Sequence, residues 1–252
     1  MKINTITKIS SKKNYYILHI NNKQYPIDYY FYECLLPYVG KQLEVSQMLD
    51  VIAFSSAYSI LNKLYSKIFN HQLSTYEVKV KLKNKEVSDE HISLIITYLK
   101  NEGHLKEIDF INHYKEIYQN QKGVNAFKRF LKSKYISDKS IEIALYDFNE
   151  DENLAYRLAT AYIKNKVGSN KVLKMKTLAF LLNKGFSNKL SNKIVEQLVF
   201  DNEFESLIKE CNKYYKKYPN DFSKIISKLA IKGYNVSDIK NVLKKVGMSN
   251  ED

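Results

Sequence analysis

The chain repeats itself. Leu82, Leu131, Leu181 and Leu229 each stand three residues before a lysine, namely Lys85, Lys134, Lys184 and Lys232. Two positions further on comes an apolar residue (Val87, Ile136, Phe186, Tyr234), followed at once by a small helix-capping polar residue (Ser88, Ser137, Ser187, Asn235). The lysine recurs at intervals of 49, 50 and 48 residues, and four positions hold that phase together. Such self-similarity marks a repeat architecture, in which each supersecondary unit buries its apolar face by stacking on its neighbours. Composition bounds the answer less tightly: 252 residues at 44% hydrophobic exclude disorder but allow one elongated or two compact domains.

From Ser46 onward the apolar spacing is helical, and each repeat reads as three helices. In the first repeat Ile60, Leu61, Leu64, Tyr65 and Ile68 stripe a helix starting near Ser56. Ser74 with Glu77 forms a capping box for the second, and Ser88 opens a third carrying Ile92, Ile95, Ile96 and Leu99 up to Gly103. Residues 78–83, VKVKLK, alternate with period two like a strand, but the repeat register predicts helix there. The second repeat follows with Phe110, Tyr114, Ile117 and Tyr118, then Val124, Phe127, Phe130 and Leu131, then Ile141, Ile143, Ala144 and Leu145. Leu154, Leu158 and Tyr162 open the third, followed by Val172, Met175, Leu178, Ala179 and Leu182 and then Leu190, Ile194 and Leu198; Phe204, Leu207 and Cys211 open the fourth, whose last stripe runs from Ile239 to Val246. All these stripes are expected to be core. The expected fold is mainly α: tandem three-helix repeats at 53–103, 104–149, 150–200 and 201–248 forming an elongated curved array.

Residues 1–52 lie outside the repeat. Ile3, Ile6 and Ile9, then the aromatic and β-branched run 15–20, then Gln24 to Ile27, predict two or three short strands with a hairpin turn at Asn21-Asn22. Asp28 is placed to cap a short helix over 29–36, stopped by Pro37. So small a β-hairpin and helix needs a neighbour, and the first repeat is the expected one.

Charge is the outlying quantity. There are 40 basic against 27 acidic residues, a net +13, which points to a polyanionic partner. A codon usage rich in Lys, Asn, Ile and Tyr would raise the lysine count too, but it would scatter the charge. Placement argues against scatter. From Asn153 to Val195 there is no acid, yet there are nine bases, among them Arg157, Lys164, Lys166, Lys171, Lys174 and Lys176. Ile117 to Ser137 is equally free of acids and holds Lys122, Lys128, Arg129, Lys132 and Lys134. Helical spacing puts Lys128, Arg129 and Lys132 on the side of their helix opposite Val124, Phe127 and Phe130. These eleven residues are the candidate contacts to a partner, and Lys79 to Lys85 and Lys224 to Lys232 extend the positive stripe in the outer repeats.

No catalytic constellation is visible. Histidines 19, 71, 91, 104 and 113 lack ligand spacing, there is no Walker loop or GxGxxG, and the run Glu150-Asp151-Glu152 suits a helix start. The expectation is a non-enzymatic protein without cofactor or metal. Cys34 and Cys211, far apart, are expected to be buried thiols in a reducing compartment. With no signal-peptide core at the amino terminus and no membrane-length apolar run, a soluble cytoplasmic location without membrane contact is expected.

Several of these segments together resemble the bacterial RecX family of recombination regulators. They are Lys184-Gly185-Phe186-Ser187, Lys232-Gly233-Tyr234, the stretch from Leu105 to Phe110, Lys122-Gly123, the run 130–137 and the helix start 152–159; the amino-terminal hairpin and 74–78 are similar to the longer versions of low-GC Gram-positive bacteria. Glu86 and Tyr135 depart from the pattern, standing where the family often has Gly. The resemblance implies a monomer that binds the RecA filament within its helical groove and limits its growth or promotes its disassembly, with single- or double-stranded DNA met through the basic ridge. Two other readings fit the residues themselves: a helical nucleic-acid-binding protein acting without RecA, and a general interaction scaffold.

Overall fold

In the computed structural model, which describes residues 4–248 apart from 14, 165 and 220, the repeated signature is one local device made four times. It closes the helices α3 (Thr75–Lys83), α6 (Val124–Ser133), α9 (Asn170–Lys184) and α12 (Phe222–Ile231), the second helix of each repeat. The carbonyl of the repeated leucine accepts the N–H of the apolar residue five positions on: Val87 to Leu82 at 3.4 Å, Ile136 to Leu131 at 3.2 Å, Phe186 to Leu181 at 3.1 Å and Tyr234 to Leu229 at 3.2 Å. The residue before each apolar one is left-handed, with φ of 61° at Glu86, 57° at Tyr135, 93° at Gly185 and 87° at Gly233. This is a Schellman stop, which satisfies carbonyls a helix end leaves open. The capping residue then starts the third helix, as Ser88 does for His91, Ser137 for Ser140 and Ser187 for Leu190. The sequence motif is thus a helix stop fused to a helix start, pinned by a buried apolar residue at Val87, Ile136, Phe186 and Tyr234.

Around these second helices stand the first helices α2 (Val45–Phe69), α5 (Glu107–Gln119), α8 (Glu152–Ile163) and α11 (Glu203–Lys217), and the third helices α4 (Asp89–Asn101), α7 (Asp138–Tyr146), α10 (Asn188–Gln197) and α13 (Val236–Met248). The fold is mainly α with tandem three-helix repeats, as the periodicity implies. Helix wins over strand at 78–83 because the Ser74–Glu77 capping box is formed in both directions and starts a helix that buries Val78 and Leu82, four residues apart. Ile3 and the side chain of Val246, both expected to be apolar contributors, lie outside the described residues.

The amino-terminal segment holds β1 (Asn4–Ser11), β2 (Tyr15–Ile20), β3 (Lys23–Asp28), α1 (Tyr29–Leu35) and β4 (Gln42–Leu43), with strand order β3-β2-β1-β4, all antiparallel. Asn21 and Asn22 turn the β2–β3 hairpin at φ 50° and 62°, the mirror-image turn that matches strand twist. The two-residue β4, invisible to a pattern search, pairs with Asn4 and Thr5. Ile6, Leu18, Ile20 and Ile27 are fully buried, and Phe31 stacks on Phe54 of α2 at 4.1 Å between ring centroids. Helix α2 accordingly starts at Val45, eleven residues before the expected Ser56, and runs through the expected division at 52/53. Its extra turns place Val51 and Phe54 in one core with Ile6, Leu18, Ile20 and Ile27 of the sheet. The expectation of two buried thiols holds for Cys211 alone; Cys34 is exposed, and of the expected core stripes Ile143, Met175 and Phe204 are exposed too, because their neighbours in the same helices already fill the buried face. Burial, assisted by the charge of Glu210, pushes the Cys211 thiol up to about 11.

The chain forms two compact units. One comprises Met1–Tyr114 with Leu131–Ser140; the other comprises Lys115–Phe130 with Ile141–Asp252. Helices α5, α6 and α7 of the second repeat each contribute to both.

Within each unit, the start of one second helix meets the stop of the next. In the second unit Gly123 N–H donates to the Lys184 carbonyl at 3.2 Å and Asn125 N–H to that of Gly185 at 2.8 Å. One Glu150 oxygen accepts both Val124 N–H at 3.1 Å and Ser187 N–H at 2.9 Å. The next junction follows the same plan: Ser169 Oγ donates to the Lys232 carbonyl at 2.7 Å, and Glu203 accepts Asn170 N–H at 3.0 Å. In the first unit side chains take over, with Lys134 on Glu77 at 2.6 Å and Tyr135 stacked on Tyr76 at 3.9 Å. A helix amino terminus lacks acceptors and a carboxy terminus lacks donors, so the two ends satisfy each other with their dipoles aligned.

Two outcomes follow for stability. A Cβ on Gly123 would lie 2.2 Å from the Phe186 backbone, so Gly123→Ala is expected to destabilise by about 2–3 kcal/mol in urea unfolding. Conversely, Glu86 is an exposed side chain in a left-handed position, and Glu86→Gly is expected to stabilise by about 1 kcal/mol. Tyr135→Gly should bring no such gain, because it removes the stack on Tyr76.

Candidate functional site

The acids near the basic segments are occupied in building the repeats. Glu150 and Glu203 hold helix starts, and Asp151 caps α8 by accepting Leu154 N–H at 3.0 Å. Glu152 meets Lys193 at 2.6 Å, and that ammonium holds its carboxyl below the usual range. Asp147 is held down in the same way by Lys115. Positive charge is therefore left on the outer faces of α6, α8 and α9.

The eleven candidate residues fall into three groups. Lys128 and Lys132 are exposed on α6, Arg157 and Lys164 at or beside α8, and Lys171, Lys174 and Lys176 on α9. Arg157 and Lys164, seven residues apart, share one face. Lys132 also reaches Asp138 at 3.5 Å. A second group supports structure as well as charge. The Arg129 guanidinium donates to the Asn183 carbonyl in the last turn of α9 at 3.4 Å, where the helix dipole favours a cation. Lys134, half-buried, holds the junction to Glu77.

The third group is backed by aromatic rings, an arrangement that reading the aromatics as core stripes missed. Lys122 lies 5.3 Å from the Tyr118 ring centroid, and Tyr118 stacks on Phe130 at 5.0 Å. One repeat later Lys166 lies 3.4 Å from the Tyr162 centroid, Tyr162 stacks on Phe180 at 4.2 Å, and Lys184 covers Phe180 at 5.7 Å. Lys174, of the first group, also stands 6.0 Å from a ring, that of Phe200. These rings are half-buried rather than sealed. The sequence does carry the signal: Tyr-x-x-x-Lys occurs at 118/122 and again at 162/166, and phenylalanine stands four residues before the shared lysine at Phe130 and Phe180. A lysine over a ring gains cation–π attraction while its charge stays at the surface, and ring edges beside cations suit phosphate and base contacts alike.

No protein-family model matches the chain. The regulatory protein RecX of Streptococcus gordonii is 30% identical to it over 260 aligned residues, covering 95% of this chain and 98% of that one. The chain belongs to the RecX family. RecX of Streptococcus sanguinis gives the same identity and coverage. A crystal structure of regulatory protein RecX superposes with a TM-score of 0.58 at 19% identity, over 77% of this chain and all of the other, so the RecX fold is shared. No helix among the described residues is long and apolar enough to cross a membrane. Groups of three or more His, Cys, Asp or Glu able to hold a metal are likewise absent among the described residues.

Unfolding distinguishes the structural lysine from the exposed one. Lys134→Ala is expected to lower stability by about 1 kcal/mol, a partly buried ion pair being worth somewhat more than a surface one. Lys128→Ala should stay within about 0.5 kcal/mol of the parent, as exposed substitutions do. Urea midpoints of the two variants read the difference directly.

Proposed function

We propose that this protein is a non-enzymatic, cytoplasmic regulator of the RecA recombinase. It binds the RecA–DNA filament, in its groove, as a monomer without cofactor. There it limits extension or promotes disassembly, and so modulates recombination, DNA repair and the SOS response. The observation that carries this reading is the near full-length similarity to RecX regulatory proteins. The exposed bases of α6, α8 and α9 support it, because such a surface attracts phosphates and acidic side chains. The chemistry is stoichiometric: each contact exchanges a condensed counterion for a lysine or arginine, and no bond is made or broken. Lys122, Lys128, Arg129, Lys132, Lys134, Arg157, Lys164, Lys166, Lys171, Lys174 and Lys176 are the proposed contacts, with Arg129 and Lys134 also serving the junctions. The lysine-backed Tyr118 and Tyr162 favour a second reading, direct binding of nucleic acid without RecA.

The test is the ATP hydrolysis rate of RecA assembled on single-stranded DNA as the protein is added. A fall well below one copy per RecA monomer is expected. Lys128→Glu, Lys171→Glu and Lys176→Glu combined should weaken the effect by about tenfold or more at unchanged melting temperature, three charge contacts at about 0.5–1 kcal/mol each. An unchanged hydrolysis rate, with salt-sensitive DNA binding in a control lacking RecA, would leave the second reading standing instead.

A further inference from the structure

One aromatic pair in the first unit is not covered as the others are. Tyr76, in the first turn of α3, and Tyr135, just past α6, stack with ring centroids 3.9 Å apart and planes at 29°. A hydrogen bond with Tyr135, then that ring's charge, raises the Tyr76 phenol above its ordinary range, so the rings are joined at their hydroxyls as well as their faces. The pair nonetheless lies at the surface, with Tyr76 37% and Tyr135 70% exposed. Tyr118, Tyr162 and Phe180 each carry a lysine ammonium over the ring. Among the described residues no lysine covers Tyr76 or Tyr135.

Tyr135 is also a strained choice. Its position is left-handed, at φ 57°, where the third and fourth repeats carry Gly185 and Gly233. A bulky side chain there crowds its own backbone, and the stack on Tyr76 uses only one face of the ring. The other face is turned to water.

Charge says what that face suits. Tyr76, Lys79 and Lys83 share one side of α3, and Lys132 stands three residues before Tyr135; all three lysines are exposed. Lys83 and Lys132 meet Asp89 and Asp138 only at 3.4 and 3.5 Å between exposed side chains, contacts that water screens. Glu77, the acid beside Tyr76, is taken by Lys134. A cationic side chain would suit a tyrosine face but not these lysines, and a duplex has its base faces already covered. An unpaired base brings a flat face together with the phosphates on either side of it. We infer that the Tyr76–Tyr135 pair is a stacking platform for one unpaired base of single-stranded nucleic acid, with Lys79, Lys83 and Lys132 on the flanking phosphates. This deepens the nucleic-acid contact of the proposed function and rests on it, while both rings, Lys79 and Lys83 lie outside the eleven contacts proposed there. Stacking is tolerant of sequence, so any base serves.

Anisotropy titration of the full chain with a labelled oligothymidylate of about 15 residues, without RecA, tests the platform. Tyr135→Gly, which gives this repeat the residue of the third and fourth, is expected to bind about tenfold more weakly with an unchanged dependence on salt. Tyr135→Asn, also suited to the left-handed position, repeats the measurement should glycine loosen the junction. Tyr135→Phe keeps a ring and should bind within about twofold of the parent. Lys79→Ala should weaken binding and lower the slope of log K against log salt by about 0.7, one phosphate contact on a single strand. An abasic strand of the same length keeps the charge without the bases, and parent and Tyr135→Gly should bind it equally. Parent-like binding of oligothymidylate by Tyr135→Gly and Tyr135→Asn, or the same tenfold loss on the abasic strand, would overturn the platform. The ridge on α6 and α9 is distinguished by the combined Lys128→Glu, Lys171→Glu and Lys176→Glu variant: if that variant loses the oligomer while Tyr135→Gly keeps it, the platform alone falls. No binding by the parent up to about 0.1 mM removes the nucleic-acid contact and the platform together, since non-specific binding lies at or below that concentration.

Discussion

The repeats depend on the meeting of helix ends. A helix leaves donors open at its start and acceptors at its finish, and burying either without a partner costs about as much as a lost hydrogen bond. Here the start of α6 sits on the stop of α9, and the start of α9 on the stop of α12. The close approach demands glycine on both sides of the first junction: a Cβ on Gly185 would come within 2.4 Å of Ala126. Glu150 and Glu203 join the same scheme, each carboxylate accepting a helix-start N–H from the preceding repeat. Between α3 and α6 the backbone bonds give way to an ion pair and a tyrosine stack, and Tyr135 occupies the left-handed position that glycine fills in the third and fourth repeats.

That construction also explains the charge. Acids are concentrated where the first helices start, because those positions face open N–H groups and a positive helix end. The outer faces of the second helices have no such use for them. Lysine remains there, and its stem can lie along half-buried rings such as Tyr118, Tyr162 and Phe180 while the ammonium faces outward. The positive surface and the stability of the junctions are two consequences of one division of labour among charged residues, with Arg129 serving both.

The amino-terminal cap is integrated by a different means. Its sheet has one buried face, too small to be stable alone, and α2 is extended to meet it, with Phe31 on Phe54 at the centre. Asp28, at the end of β3, reaches Tyr65 of α2 and Tyr98 of α4, so the cap is tied to the first repeat by polar as well as apolar contacts. A carboxylate nearly sealed among tyrosines is costly to bury, and these two hydroxyl donors come from separate helices.

Much of this was legible in the chain itself. The phase of Leu82, Leu131, Leu181 and Leu229 and the capping residues Ser88, Ser137, Ser187 and Asn235 after them determined where second helices stop and third helices start, because a Schellman stop and an N-cap are local events governed by neighbouring residues. Alternation around Asn21-Asn22 determined the hairpin for the same reason. The acid-free windows located the basic surface, and Tyr-x-x-x-Lys at 118/122 and 162/166 carried the aromatic backing unnoticed. Only tertiary structure decided the rest. That Lys134 is committed to Glu77, that Arg129 rests on a carbonyl 54 residues away, that Cys34 is exposed, and that Tyr15, Asp28, Tyr58 and His104 line one cleft all depend on contacts between distant segments. Local pattern reports which way a side chain leaves its own helix or strand; what it meets there is set by the packing of the other elements.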